Sequence, residues 1–228
     1  RPGVLARLLV DLAELQLLVL QDRPAARLTY MRLVEQVPEW KPGLSQLADL
    51  HEEASDFENA ISIMKQWLSI ETDPVVRCTV CRRLGLAERQ LGHTHAALDW
   101  YIQSLELDPN QLDLWEYVVD LHQELADPRK AAWALKKCIT LQPKMHAKVN
   151  YLHRLSDIYE NQLHDKKLAR DALLEAVEVS DADMDAVESL VHFYDRQADS
   201  VSRNVKLDLL WTAERQKIVS LTSVEPIL

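Results

Sequence analysis

One stretch of this chain repeats itself at a fixed distance, and that repetition restricts the fold more than any other property of the sequence. Residues 84–109, LGLAERQLGHTHAALDWYIQSLELDP, align without a gap with residues 118–143, VVDLHQELADPRKAAWALKKCITLQP, at a spacing of 34 residues. Ala97 stands over Ala131, Tyr101 over Leu135, Ser104 over Cys138 and Pro109 over Pro143. The frame extends outward: alanine recurs at Ala26, Ala60, Ala97, Ala131 and Ala169, at intervals of 34, 37, 34 and 38 residues, the longer ones implying small insertions in the connecting turns. A period of this size marks one supersecondary unit stacked on copies of itself.

The recurring residues have physical roles. Alanine is needed where two helices cross closely, because a larger side chain would push them apart. Proline ends the second helix of a unit, since the residue before it is driven out of the helical region. Upstream of each alanine an apolar residue precedes a small one: Leu12-Ala13, Leu47-Ala48, Leu84-Gly85 and Leu155-Ser156, with Val118-Val119 and Leu190-Val191 as looser versions. Apolar steps of three and four residues between these marks predict helices near 4–19, 24–37, 43–54, 57–71, 76–91, 94–107, 111–125, 128–141, 147–161, 165–179, 183–198 and 202–219. With only four glycines in 228 residues, the chain has little material for tight hairpins or phosphate loops.

The unit with Leu84-Gly85 early, Gly92 at the turn, then Ala97, Tyr101 and Pro109, resembles the tetratricopeptide repeat. The resemblance covers roughly residues 4–198 and is closest over Cys78–Pro143. It departs from the family pattern where a first-helix tyrosine is usual: Glu88 and His122 stand there, while Tyr159 and Tyr194 keep it. The fold it implies is all-α, a right-handed superhelical solenoid of about six antiparallel helix pairs. We expect a single solenoid over residues 1–228, with 202–219 as a capping helix and 220–228 as a tail.

Composition narrows the function. The net charge of −10 opposes binding to phosphate backbones and anionic lipid surfaces, which need clustered Lys and Arg. No apolar run reaches the roughly 20 residues that span a bilayer. The chain starts at Arg1 without a signal-peptide layout, which reads as a piece of a longer protein. Three cysteines make no disulfide framework, and a reducing, cytoplasmic setting is expected. Cys78-Thr79-Val80-Cys81 lacks a second pair for zinc, and its place on a helix puts Cys81 on the buried stripe. His93 and His95 read as turn residues, and the six tryptophans as core by default. No glycine-flanked serine, Cys-His pair or phosphate loop is present, so no enzyme, cofactor or metal is expected.

The resemblance implies a concave surface lined by the exposed residues of each first helix. In this register they are Asp49, Glu52 and Glu53, then Arg82 and Arg89, then Asp113, Glu116, Asp120 and Glu124, then Asp157 and Glu160, then Asp185, Glu188, Asp195 and Arg196. Twelve acids against three arginines exceed the chain's overall balance of 36 to 26. The family's chaperone-tail clamp of Lys, Asn and Arg is not assembled by Asn150 and Asn161. The expected role is a protein-interaction scaffold that takes a basic peptide or helix of a partner protein. The alternatives are a spacer or self-association module, through end helices such as Leu5–Leu20, or a regulatory region of a larger protein.

Overall fold

All five spaced alanines, Ala26, Ala60, Ala97, Ala131 and Ala169, are completely buried. They lie on the second helices of successive pairs in a computed structural model that describes residues 2–197 apart from Ala182. The expected helix at 202–219 and the tail 220–228 fall outside the described residues. Every regular element among the described residues is a helix, as the all-α expectation requires.

The chain divides into two compact units, residues 1–114 and 115–228. The first contains α1 (Pro2–Glu14, continued by a π turn at Leu15–Val19), α2 (Arg23–Gln36), α3 (Lys41–Glu53), α4 (Phe57–Ile70), α5 (Pro74–Gln90) and α6 (Thr94–Leu107). Helix α7 (Leu112–Glu124) runs across the boundary. The second unit continues with α8 (Pro128–Leu141), α9 (Met145–Asp157, continued by a π turn at Ile158–Gln162), α10 (Lys166–Val179) and α11 (Met184–Arg196).

Three of the turns inside a pair are built the same way. The backbone amide of Asp56 donates to the His51 carbonyl, His93 to Glu88, and Asp127 to His122, at 2.8–2.9 Å. One residue per turn takes the left-handed conformation that such a helix end requires: Ser55, Gly92 and Ala126 here. Only Gly92, with φ of 76°, adopts it without crowding a Cβ. Asp127 and Asp165 then cap the next helix by accepting from Lys130 N and Leu168 N. Where a π turn precedes, the closing bond spans one more residue, from Asp22 to Gln16 and from Asp165 to Tyr159.

The long intervals in the alanine series do not come from the connecting turns. The connectors 71–73 and 142–144 are no longer than 108–111. The added residues lengthen first helices instead: α5 has 17 residues where α3 and α7 have 13, and α9 gains its π turn. An insertion inside a helix keeps its backbone hydrogen bonds and avoids enlarging an exposed loop.

The interior of the first unit is one cluster that includes Ala26, Tyr30, Leu33, Leu44, Leu47, Ala60, Met64, Trp67 and Leu84. Helix α1 enters it with Ala13, supported by Ala6, Leu9, Val10 and Leu17. Leu12, the apolar repeat residue beside Ala13, is exposed together with Val4, Leu5, Leu8, Leu15 and Val19. Helix α1 is therefore apolar on two sides, and α2 covers only one of them. The core default for tryptophan also fails at Trp133, which is 46% exposed while Trp67 and Trp115 are buried, and Trp211 lies outside the described residues.

Candidate functional site

The predicted residues lie on the first helices and on the π turn that continues α9, and the structure shows what each meets. In the first unit the acids are largely engaged. The Arg83 guanidinium bridges α5 to α3, with Nη2 2.5 Å from Asp49 and 2.6 Å from Glu52, and its plane lies 5.9 Å from the Trp67 ring. Burial works against the Arg83 cation, but the Glu52 and Asp49 carboxylates more than offset it and hold its pKa above the usual value. Arg82 pairs with Asp113, and Glu53 accepts from Arg23 at 2.6 Å. Arg89 stands half-buried on the same helix.

In the second unit the Tyr151 hydroxyl donates to Glu116, and burial together with that carboxylate pushes the phenol up to about 12. Arg154 donates to Asp120 at 3.0 Å and to Gln123 at 3.1 Å. Arg196 forks onto Glu160, at 3.1 and 2.6 Å, and Gln197 donates to the same carboxylate. That donor set, with Arg196 first, holds Glu160 below the usual carboxylate range. Asp157 accepts from Asn161. Glu124, Asp185 and Glu188 are exposed and make no ion pair among the described residues, while Asp195 is exposed near the end of α11.

Two of the hollows among the described residues open on these helices. In the second unit one of about 270 Å³ is lined by His153, Ser156, Asp157, Glu160, Leu173, Ser189, His192 and Arg196, so Asp157, Glu160 and Arg196 of the predicted set meet there. In the first unit one of about 620 Å³ is lined by Pro74, Val75, Cys78, Thr79, Arg82, Arg83, Leu86, Leu107, Asp108 and Gln111. Arg82 is the predicted residue in it. Its apolar rim, Val75 and Leu107, carried no signal that repeat position alone could supply.

The register reading missed Arg83 and Arg154. Both stand two residues before the small residue of their helix, and each lies 34 residues after its acid partner, Asp49 or Asp120. The repeat spacing itself was therefore the signal that could have found them. Including them leaves Asp49, Glu52, Glu53 and Asp113 against Arg82, Arg83 and Arg89 in the first unit, close to balance. In the second unit eight acids, Glu116, Asp120, Glu124, Asp157, Glu160, Asp185, Glu188 and Asp195, stand against Lys148, Arg154 and Arg196 on the first helices.

The buried thiols are poor nucleophiles. Burial raises Cys81 and pushes Cys138 up to about 12. Cys78 takes part in a network with Ser104 and the Gln111 amide. His93 is more than turn filler, because its Nδ1 lies 2.8 Å from Glu88. Among the described residues no group of His, Cys, Asp or Glu is placed to hold a metal ion, and no helix is long and apolar enough to cross a membrane.

Comparison with known proteins bears on the fold. The family model for the tetratricopeptide repeat matches residues 80–111. No curated protein matches the chain. Among solved structures, a MamA protein is 16% identical, with a TM-score of 0.56 over 87% of this chain and 97% of that one. YrrB, a tetratricopeptide-repeat protein with an unusual peptide-binding site, is 13% identical, with a TM-score of 0.54 over 79% of this chain and 89% of that one. A tetratricopeptide-repeat protein from Parabacteroides merdae ATCC 43184 is 14% identical, with a TM-score of 0.56 over 92% and 80%.

Proposed function

We propose that this chain, a tetratricopeptide-repeat protein, is a non-enzymatic scaffold that holds a basic peptide or helix of a partner protein on the first helices of its second unit. Proteins of this fold mediate protein–protein contacts, and a peptide-binding site is named for the structurally similar YrrB. The carrying observation is the surplus of eight acids over Lys148, Arg154 and Arg196 on the second unit's part of α7, on α9 with its π turn and on α11, with Asp157 and Glu160 bordering a hollow. A surplus of one sign beside low-dielectric walls attracts the opposite charge and speeds encounter. Glu160 is already neutralised by Arg196, so Asp157, Asp185 and Glu188 carry the attraction. Free thiols at Cys78, Cys81 and Cys138 suit a reducing compartment such as the cytoplasm.

The test is fluorescence anisotropy with a labelled Lys/Arg-rich peptide of about twelve residues, titrated with the 228-residue chain across a salt series. Binding should weaken steeply as salt rises, and Asp157→Asn with Glu188→Gln should lower affinity about tenfold. An affinity indifferent to both salt and these substitutions removes the basic-partner reading.

The exposed face of α1 favours a second reading, self-association. Leu5, Leu8, Leu12, Leu15 and Val19 recur at alternating steps of three and four, the seam of a two-helix coil. With Val4, Leu18 and Leu20 they are 44–77% exposed. The apolar area is on the order of 700 Å², close to the roughly 800 Å² each partner contributes to a standard interface. Analytical ultracentrifugation should show a dimer that Leu8→Glu with Leu12→Glu converts to a monomer. A wild-type chain that sediments as a monomer at 100 μM rules out this reading.

A further inference from the structure

Helix α8 contradicts the charge of the chain that carries it. Its sequence, PRKAAWALKKCITL, contains Arg129, Lys130, Lys136 and Lys137 and no acid, in a chain of net charge −10. The buried residues Ala131, Ala132, Ala134, Leu135, Cys138 and Ile139 fix one side of the helix inward. At 100° per residue, the four cations and Trp133 then share an outward arc of about 120°. All five are exposed.

Trp133 sits at the centre of this arc and is not a loose surface ring. Its edge packs on the buried Trp115 indole, with centroids 5.0 Å apart and planes at 77°. Lys137 lies 5.9 Å from the Trp133 ring, Lys136 5.7 Å from Tyr159, and Lys130 pairs with Asp127 at 3.3 Å. These contacts hold the three lysines against aromatic or acidic neighbours while leaving them open to solvent. A half-exposed, pre-positioned tryptophan ringed by cations has the composition of an interface centre, where Trp and Arg dominate binding energy.

We infer that the outward face of α8 docks an acidic segment of a protein partner, with one apolar side chain of that segment covering Trp133. The surface is separate from the acidic first-helix face and of opposite sign, so a single chain can hold two partners of different charge. A short protein segment is favoured over a nucleic acid by range. Arg129 and Lys137 lie about 12 Å apart along the helix axis. A segment of that length feels chiefly the local cations, because charges beyond a screening length of about 8 Å are damped. A long polyanion also meets the acids that give the chain its charge.

The test uses the 228-residue chain and a fluorescein-labelled 14-residue peptide carrying six glutamates around a central phenylalanine. Micromolar binding is expected. Lys136→Glu with Lys137→Glu should weaken it at least tenfold, and Trp133→Ser about fivefold, with Trp133→Phe restoring most of the loss. A glutamine version of the peptide should not bind. The paired variant Asp157→Asn with Glu188→Gln should bind the acidic peptide as the parent does, which separates this site from the proposed groove. Circular dichroism of each variant confirms the fold, and the two lysine positions, being exposed, remain informative if Trp133→Ser fails to fold. Peptide binding that survives the lysine reversal overturns the proposal. So does equal or tighter binding of a 14-nucleotide single strand or of phosphatidylserine vesicles through the same lysines.

Discussion

Replacing Gly85 with alanine should destabilise the chain by about 2 kcal/mol, against the direction that helix propensity alone predicts. In an exposed helix interior this change stabilises by about 1 kcal/mol. At Gly85 a Cβ would lie 2.3 Å from both Cδ1 and Cε1 of Tyr101, on the facing helix α6. The ring is fully buried, and the atoms met belong to its body and not to a mobile tip, so it has nowhere to swing. Overpacking of a filled core costs about 1–3 kcal/mol. The sign of the measured change therefore decides whether α5 and α6 cross as closely as the structure has it. Urea denaturation of Gly85→Ala, of Tyr101→Leu and of the double variant would show it. In the leucine background the alanine should become nearly neutral, a coupling of about 1–2 kcal/mol. If Gly85→Ala stabilises the parent, or costs the same in both backgrounds, the close crossing is wrong.

Acid should unfold the first unit partly through one carboxylate. Glu71 is buried where α4 gives way to α5, and it accepts from Lys41 Nζ at 2.8 Å, Asp73 N at 3.0 Å, Thr72 N at 2.9 Å and Trp67 Nε1 at 3.2 Å. These donors, Lys41 foremost, hold its pKa at about 2 against an ordinary 4.5. A group whose folded pKa is depressed binds more protons in the unfolded chain, so its stabilisation is complete above pH 4.5 and disappears as the pH falls towards 2. Glu71→Gln should therefore be less stable than the parent at pH 6, with the gap closing through that window. Part of the acid sensitivity remains in the variant. Asp56 is also lowered, chiefly by Asn59, and Glu88 is lowered because His93 and Lys65 outweigh the opposing effect of its burial. Denaturation midpoints between pH 2 and pH 6 measure this, and a deficit that stays constant across the range would show that Glu71 does not titrate as described.

What could be read without coordinates was whatever depends on neighbours along the chain or on the repeat period. The alanine frame predicted the helix pairs because two backbones can approach closely only over a side chain no larger than a methyl group, and Ala26, Ala60, Ala97, Ala131 and Ala169 are all fully buried. Pro109 and Pro143 marked the ends of α6 and α8 for an equally local reason. The candidate site was legible as a set of positions and illegible as a charge balance. Whether Asp49 is available to a partner depends on Arg83, a turn of another helix away in space, and Asp120 depends in the same way on Arg154.

The tertiary structure alone decided where the added residues went, into longer first helices and a π turn, since both a loop and a helix can absorb an insertion without changing the apolar pattern. It also decided which apolar side chains remain uncovered. Leu12 and Leu47 hold the same place in their units, yet one is exposed and the other buried, and Trp133 faces water while Trp115 beneath it does not. Burial belongs to what packs against a side chain and not to the side chain itself, so periodicity determined the helices of this protein and packing determined its surfaces.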